Sequence, residues 1–137
     1  MRLEGWEQRL AAVIDSALGK AYVLGQNDCL RLACACVAAL TGVDYWPRFA
    51  GYRTKRQALA TIARVAPSLG EAVTATLGVS PSAPVAALRG DILLYRDEAG
   101  EDHIGTCLGR DVLLMGADGA ITTSVDDMRL LCSWRVE

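Results

Sequence analysis

Hydrophobic positions recur with a helical period in the first half of the chain. The apolar residues of the first segment are spaced three or four apart: Trp6, Leu10, Val13, Ile14 and Ala17. This spacing predicts an amphipathic helix over residues 3–18. A second predicted helix, residues 29–40, is apolar nearly all round, with Arg31 as its only charge, so we expect it to be central and buried. Two more helices are predicted over residues 55–65 and 69–77.

After Gly90 the pattern changes to short apolar runs separated by turn residues. Strands are predicted over residues 91–95, 103–109, 112–117, 120–125 and 130–136. The pair Asp118-Gly119 is typical of a two-residue hairpin turn. No repeat or linker divides the chain. We therefore predict a single α+β domain over residues 1–137, in which the buried second helix packs on an antiparallel meander.

Composition excludes some classes of partner. Hydrophobic residues make up 52% of the chain, which is enough for a packed core, and the formal net charge of −2 gives no basic surface for nucleic acid. The longest apolar run, residues 32–40, is far shorter than the roughly 20 residues that span a bilayer, so we expect no membrane partner. Residues 1–10 contain four charged residues and lack the apolar stretch of a signal peptide, so we expect synthesis in the cytoplasm.

The chain has five cysteines, an odd number that argues against a disulfide framework. Cys29 opens the buried helix directly after Asp28, which we expect to act as its N-cap. A helix N-terminus and a nearby histidine both favour the thiolate, and His103 is the only histidine. The alternative is that Cys29 is a small core residue and His103 a structural one. Cys34 and Cys36 lack the spacing of common zinc ligands, so we expect no metal and no cofactor.

His103 opens a predicted strand after a hairpin loop. On period-two alternation, His103, Gly105, Cys107 and Gly109 share one face of that strand. Glycines within a strand often mark the close approach of another backbone. We therefore expect the buried helix to press on this face.

Several motifs together resemble one superfamily. Tyr22, Gly25 and Asn27-Asp28-Cys29, followed by an alanine-rich helix, resemble the nucleophile segment of the NlpC-type papain-like cysteine peptidases. Gly90-Asp91 and His103-Ile104-Gly105 resemble the strand openings of the same superfamily. The Gly51-Tyr52 turn and the closing residues 133–136 resemble a compact subgroup found among phage and prophage tail-assembly proteins. The resemblance covers residues 22–136.

This resemblance implies a papain-like fold with Cys29 as nucleophile and His103 as general base. It further implies a peptidoglycan stem peptide, or another amide, as substrate, and phage tail proteins as partners, with the protein then located in the virion. The candidates for the oxyanion region and the adjoining cleft are Tyr22, Gln26 and Asp28, although Gln26 also suits a simple turn. The candidates for lining the substrate cleft are Tyr45, Trp46 and Tyr52, which equally suit a role in filling space beside the helix.

One departure from the family pattern matters. Active members carry a third polar residue on the strand after the histidine, and this chain offers only Leu114, Met115 or Gly116 there. Three hypotheses therefore remain open. The first is a thiol hydrolase of peptide or amide bonds, and the second is a tail-assembly protein that keeps the fold without efficient catalysis. The third is a small-molecule amidase or acyltransferase that uses the same Cys–His pair.

Overall fold

The structure is a computed structural model that describes residues 1–137. The helices are α1 (Trp6–Leu18), α2 (Cys29–Thr41), α3 (Lys55–Val65) and α4 (Leu69–Leu77). The strands are β1 (Ile92–Arg96), β2 (Asp102–Cys107), β3 (Asp111–Gly116), β4 (Gly119–Ser124) and β5 (Arg129–Trp134). The prediction of an α+β fold, with helices first and an antiparallel sheet second, is confirmed. Helix α1 begins three residues later than predicted, because Gly5 has a φ of 72° and interrupts the helical backbone.

The five strands form one antiparallel sheet in the order β4-β3-β2-β1-β5. Strands β1 to β4 make a simple meander, and β5 returns to the far edge, where Trp134 pairs with Ile92. The register of β1 and β2 pairs Leu94 with Ile104 and therefore puts both side chains on one face of the sheet.

Helix α2 packs on that face and forms the main core with it. Its buried residues are Leu32, Ala33, Cys34, Cys36, Val37, Ala39 and Leu40. All of these except Cys34 belong to a cluster of 16 buried residues that also contains Ile92, Leu94 and Ile104. A smaller cluster of Leu93, Cys107 and Val112 occupies the opposite face. The expectation of a buried helix on an antiparallel sheet is thus confirmed.

The face that α2 covers differs from the one expected from the glycines of β2. Ile104 belongs to the core cluster that α2 forms, and the Thr106 side chain lies near the Cys36 thiol and lowers its pKa. Helix α2 therefore contacts the Ile104 and Thr106 face, not the His103 and Gly105 face. A Cβ on Gly105 would lie 2.7 Å from Cγ1 of Val112 and 2.8 Å from the carbonyl oxygen of Leu113. The close approach therefore comes from β3, which crosses beside Gly105, and the expectation that α2 requires it was wrong.

A buried carboxylate joins the two ends of the chain to the start of β1. Asp91 is 1% exposed and accepts hydrogen bonds from the backbone N–H groups of Leu88 (2.9 Å) and Val136 (3.1 Å). It also pairs with Arg2 at 3.0 Å and Arg135 at 2.9 Å. The residue after Gly90 therefore has a structural function in this chain. No helix of the structure combines the length and the hydropathy needed to cross a membrane.

Candidate functional site

The N-terminus of α2 is held in place by the side chain of its N-cap residue, Asp28, which accepts three hydrogen bonds. Asp28 has extended backbone angles, and its carboxylate accepts from the N–H groups of Arg31 (2.9 Å) and Gly25 (2.8 Å) and from the Tyr52 hydroxyl. The predicted N-cap is confirmed. Gly25 is required in this loop, because its φ is 80° and a Cβ would lie 2.1 Å from the Tyr52 carbonyl oxygen. These contacts fix the position of Cys29, the next residue.

The hydrogen bonds of β2 bring Cys29 to the edge of the sheet. The Cys107 N–H donates to Asp91 O at 2.8 Å, so alternate N–H groups of β2 point toward β1 and that of Ile104 points the other way. Strand β3 pairs with β2 only at Thr106 and Cys107. The Ile104 N–H therefore faces an open edge, where it lies close enough to the Cys29 thiol to lower the pKa of that thiol. The first residue of α2 thus meets the residue that follows His103.

The surroundings of Cys29 favour the neutral thiol. Burial raises its pKa to about 11, and the neighbouring Asp28 carboxylate acts in the same direction. The backbone N–H groups of Leu30, Cys29 and Ile104 act against this shift without reversing it. A pKa near that value leaves about one thiol in 10,000 ionised at neutral pH. Cys29 does lie at a helix N-terminus, which favours a negative charge, but this is not enough to ionise the thiol in the resting protein.

His103 is oriented by a carboxylate from the preceding hairpin. Its Nε2 lies 2.8 Å from Oδ2 of Asp97, and its ring stacks on Tyr95 with centroids 5.4 Å apart. This hydrogen bond, together with the N–H groups of Glu101 and Ala99, lowers the pKa of Asp97. An ionised carboxylate accepts only, so in neutral His103 the proton is on Nε2 and the lone pair is on Nδ1. That tautomer leaves Nδ1 able to accept a proton.

Asp97 was not among the predicted site residues, yet it supplies the third polar group beside His103. The family pattern points to β3, where Leu114, Met115 and Gly116 offer no polar side chain. Asp97 instead reaches His103 across the β1–β2 hairpin, whose strands pair Arg96 with Asp102. An acidic residue just before a hairpin loop, with the histidine just after it, is the signal that would have identified the pair.

Three tyrosines lie around Cys29. Burial, and then the charges of Asp28 and Cys29, raises the pKa of Tyr22, which is 42% exposed. Burial, followed by Cys29 and Asp97, raises the pKa of Tyr95 to about 12. The hydroxyl of Tyr52 donates to Asp28, and its side chain is buried, so it supports the helix cap. Of the three, Tyr22 is exposed, Tyr95 is partly buried and Tyr52 is buried.

The other predicted site residues lie at varying distances from this cluster. Trp46 packs edge-on against Tyr52, with centroids 5.9 Å apart, and Arg31 lies 5.2 Å above its ring. Tyr45 packs against the core, which matches its alternative role in filling space beside α2. Gln26 is exposed and lines the groove between α1 and α2. The structure therefore groups Tyr22, Asp28 and Tyr52 with Cys29, and it places Gln26 on the α1 side of α2.

One set of side chains has the composition of a metal site. Asp97, Glu101 and His103 each offer a ligand atom, and these atoms lie within 4.8 Å of one another. A nitrogen with two carboxylates suits a divalent transition metal. Glu101 is already paired with Lys55 at 2.6 Å, and Asp97 with His103. A cation bound here would occupy the nitrogen of His103 that now donates to Asp97.

Comparison with known proteins identifies the family of this chain. A family model described as a domain of unknown function, DUF6950, matches residues 1–136. No curated protein matches the chain. The matched range includes the cap at Asp28, the thiol of Cys29 and the hairpin that carries Asp97 and His103, together with all four helices and all five strands. The chain therefore belongs to the DUF6950 family.

Proposed function

We propose that this protein is a cysteine-nucleophile acyl-transfer enzyme with an NlpC-type papain-like fold, and that it hydrolyses peptide or amide bonds. The observation that carries the proposal is the approach of the Ile104 N–H to the Cys29 thiol, whose pKa it lowers. This approach brings the start of a buried helix to the strand that contains His103, and Asp97 orients that histidine. A nucleophile, a base and a group that orients the base are the three parts such chemistry needs.

The reaction proceeds in two halves. Nδ1 of His103 takes the thiol proton as the sulfur of Cys29 attacks the substrate carbonyl. The C–N bond then breaks, and His103 returns the proton to the departing amine, which leaves a thioester on Cys29. In the second half His103 takes a proton from water, and the resulting hydroxide attacks the thioester carbon. The C–S bond breaks, the carboxylic acid leaves, and His103 returns the proton to the Cys29 sulfur. Because the resting pKa of Cys29 is about 11, attack is coupled to proton transfer and does not start from a preformed thiolate.

Two local features suit the charges that develop during this reaction. The negative Asp97 stabilises the imidazolium form of His103, at a separation of 2.8 Å. The backbone N–H groups of Cys29 and Leu30 already face the sulfur, where the carbonyl oxygen of a tetrahedral intermediate would become negative. The sequence resemblance is what supports a peptidoglycan stem peptide as the substrate and a phage tail as the location of the protein. Both form part of the proposal.

A second candidate function is supported by a separate observation. The Asp28 carboxylate next to Cys29 raises the pKa of that thiol, which is the reverse of activation. This favours a structural tail-assembly protein that keeps the fold without efficient catalysis. The small-molecule amidase or acyltransferase uses the same groups as the hydrolase, and adding amine acceptors and analysing the products separates the two.

Acylation by p-nitrophenyl acetate tests the proposal, with intact mass spectrometry to locate the acyl group. We expect one equivalent of nitrophenolate in a burst, acylation at Cys29, and no burst from Cys29→Ala. General-base catalysis contributes about 100-fold or more, so His103→Ala should slow the burst by about that factor. Asp97→Asn should slow it by at least about tenfold, because the amide does not stabilise the imidazolium. A chelator in every assay excludes an effect of metal bound at Asp97 and Glu101.

Cys132→Ala is the matched control, because Cys132 is another partly buried thiol, located on β5. Its burst should equal that of the unmodified protein. If Cys29 is acylated no faster than Cys132, and His103→Ala has no effect, the hydrolase proposal is wrong and the structural role is favoured.

A further inference from the structure

Cationic side chains are concentrated in one stretch of the chain. Residues 45–70 contain no acidic residue and five cationic ones: Arg48, Arg53, Lys55, Arg56 and Arg64. Since the whole chain has a formal net charge of −2, the other residues together carry −7. All five cationic residues are exposed. They form a basic surface, made of α3 and the segment that joins it to α2, on a molecule that is otherwise acidic.

Most of these cations lie where a helix does not favour a positive charge. Lys55 and Arg56 are the first two residues of α3, Arg53 lies two residues before it, and the first turn has no acidic residue. A helix N-terminus carries a partial positive charge, so it repels cations placed there. Arg64, in the last turn, is at the end that attracts a cation. The stability of α3 therefore does not explain the arrangement, whereas an anionic ligand would.

The arginines of the basic surface have no anionic partner within the chain. The five ion pairs of the structure include one of its cations, Lys55, whose ammonium lies 2.6 Å from a carboxylate oxygen of Glu101. Arg48 lies 5.2 Å above the ring of Tyr45, which is an uncharged partner. The surface thus already binds one carboxylate, and its four guanidinium groups remain available for others.

An open groove is lined by two of these arginines. Arg64 lines it from α3 together with Gln57 and Thr61, at the four- and three-residue spacing of one helix face. Arg48 lines it from the segment before α3, and none of the seven lining residues is acidic. About 330 Å³ is open to the centre of a water-sized sphere, whereas one water needs about 10–15 Å³. The groove therefore has room for a carboxylate, which guanidinium groups bind through paired N–H···O bonds.

The neighbouring aromatic residues favour a peptide over a nucleic acid as the ligand. Proteins that bind single strands stack the bases on accessible aromatic rings. Here Tyr45 and Trp46 are partly buried, and Phe49 and Tyr52 are buried. The negative charge of the rest of the chain would also repel a long polyanion that extends beyond the basic surface. A short acidic segment of a protein avoids both difficulties.

We propose that the basic surface binds an acidic segment of a partner protein, with one carboxylate of that segment in the groove lined by Arg48 and Arg64. The inference is independent of the chemistry at Cys29, and it holds for a hydrolase and for a structural protein alike. The bond is electrostatic and exposed to solvent, so it weakens as the ionic strength rises.

Fluorescence anisotropy of a labelled peptide tests this assignment. The probe is a short peptide of alternating glutamate and serine, and the reference peptide has glutamine in place of glutamate. We expect saturable binding of the glutamate peptide, weaker binding at higher salt, and no binding of the glutamine peptide. An exposed ion pair changes a binding constant by up to about fivefold. Arg48→Gln and Arg64→Gln should each weaken binding by about threefold, and the double variant by about tenfold.

Arg110→Gln is the matched control, because Arg110 is also exposed but lies between β2 and β3, outside the basic surface. It removes the same charge and should leave the affinity for the peptide unchanged. Losses of equal size in Arg110→Gln and in the groove variants would show a response to net charge alone and would overturn the assignment. Absence of saturable binding to the unmodified protein would overturn it as well.

Competing ligands distinguish a protein partner from other anions. Oligothymidylate and vesicles of phosphatidylglycerol should displace the labelled peptide less effectively, per negative charge, than the unlabelled peptide does. More effective displacement by either would assign the surface to a nucleic acid or to a membrane and would contradict the proposal. Mass spectrometry should recover the peptide intact; cleavage that disappears in Cys29→Ala would make the peptide a substrate and would likewise contradict a partner surface.

Discussion

Asp91 offers the sharpest test of how this fold is held together. Its carboxylate is 1% exposed and accepts from four groups: the N–H of Leu88, the N–H of Val136, and the guanidinium groups of Arg2 and Arg135. The substitution Asp91→Ala removes all four bonds at once. It thereby removes the carboxylate that links both chain ends to the beginning of β1.

The expected loss of stability follows from how deeply each partner is buried. The Val136 N–H belongs to a residue that is 2% exposed, and leaving it unpaired costs about 1–3 kcal/mol. The Arg2 side chain is 15% exposed, so its charge-assisted bond contributes about 1.5–3 kcal/mol. The Arg135 side chain is 42% exposed, and its pair contributes at most about 1 kcal/mol. The interactions are coupled, and we expect a total loss of about 3–5 kcal/mol.

Urea denaturation followed by tryptophan fluorescence measures this loss, since Trp134 is 1% exposed and its emission reports unfolding of the sheet. Arg135→Ala is the control and should cost no more than about 1 kcal/mol. Asp91→Asn keeps one acceptor oxygen and should fall between the two. If Asp91→Ala changes the free energy of unfolding by less than about 1 kcal/mol at an unchanged m-value, the reasoning about the buried carboxylate is refuted.

Three further outcomes are expected. Tyr52→Phe should lower stability by about 1–3 kcal/mol in thermal unfolding, because the buried Asp28 carboxylate loses a donor, and Tyr45→Phe is the control. Thr76→Val should leave stability unchanged or raise it, because the Thr76 hydroxyl has no hydrogen-bond partner. Thr74→Val should cost about 1 kcal/mol, because it removes the acceptor of the Trp134 N–H. Equal effects of the two substitutions on the free energy of unfolding would contradict these hydrogen-bond assignments. Burial raises the pKa of Cys29 and Cys36 to about 11 and that of Cys34 to about 12, so the unfolded chain releases these protons first. The free energy of unfolding should therefore be unaffected below the ordinary thiol pKa and fall as the pH rises from about 8.5 toward 11; a flat profile from urea titrations would contradict this.

The sequence by itself determined the local structure and the residue types available for chemistry. The apolar periodicity, the capping residue Asp28 and the β3–β4 hairpin depend on neighbours within a few positions, and each of these features was predicted. The turn itself was placed one residue too late: its two residues are Ala117 and Asp118, and Gly119, with a φ of 121°, begins β4. Local patterning also identified the buried helix that begins at Cys29. Its nearly continuous apolar surface is stable only in the interior.

The tertiary structure alone decided which groups meet. Alternation correctly assigned His103 and Gly105 to one strand face, but the helix covers the other face, because the contacts between layers depend on packing across the whole domain. Asp97 reaches His103 only through the register of a hairpin, in which a shift of one residue would reverse every side chain. The raised pKa of Cys29 likewise comes from burial and from the Asp28 charge, and neither can be summed from the sequence alone, because both depend on what surrounds the thiol in three dimensions.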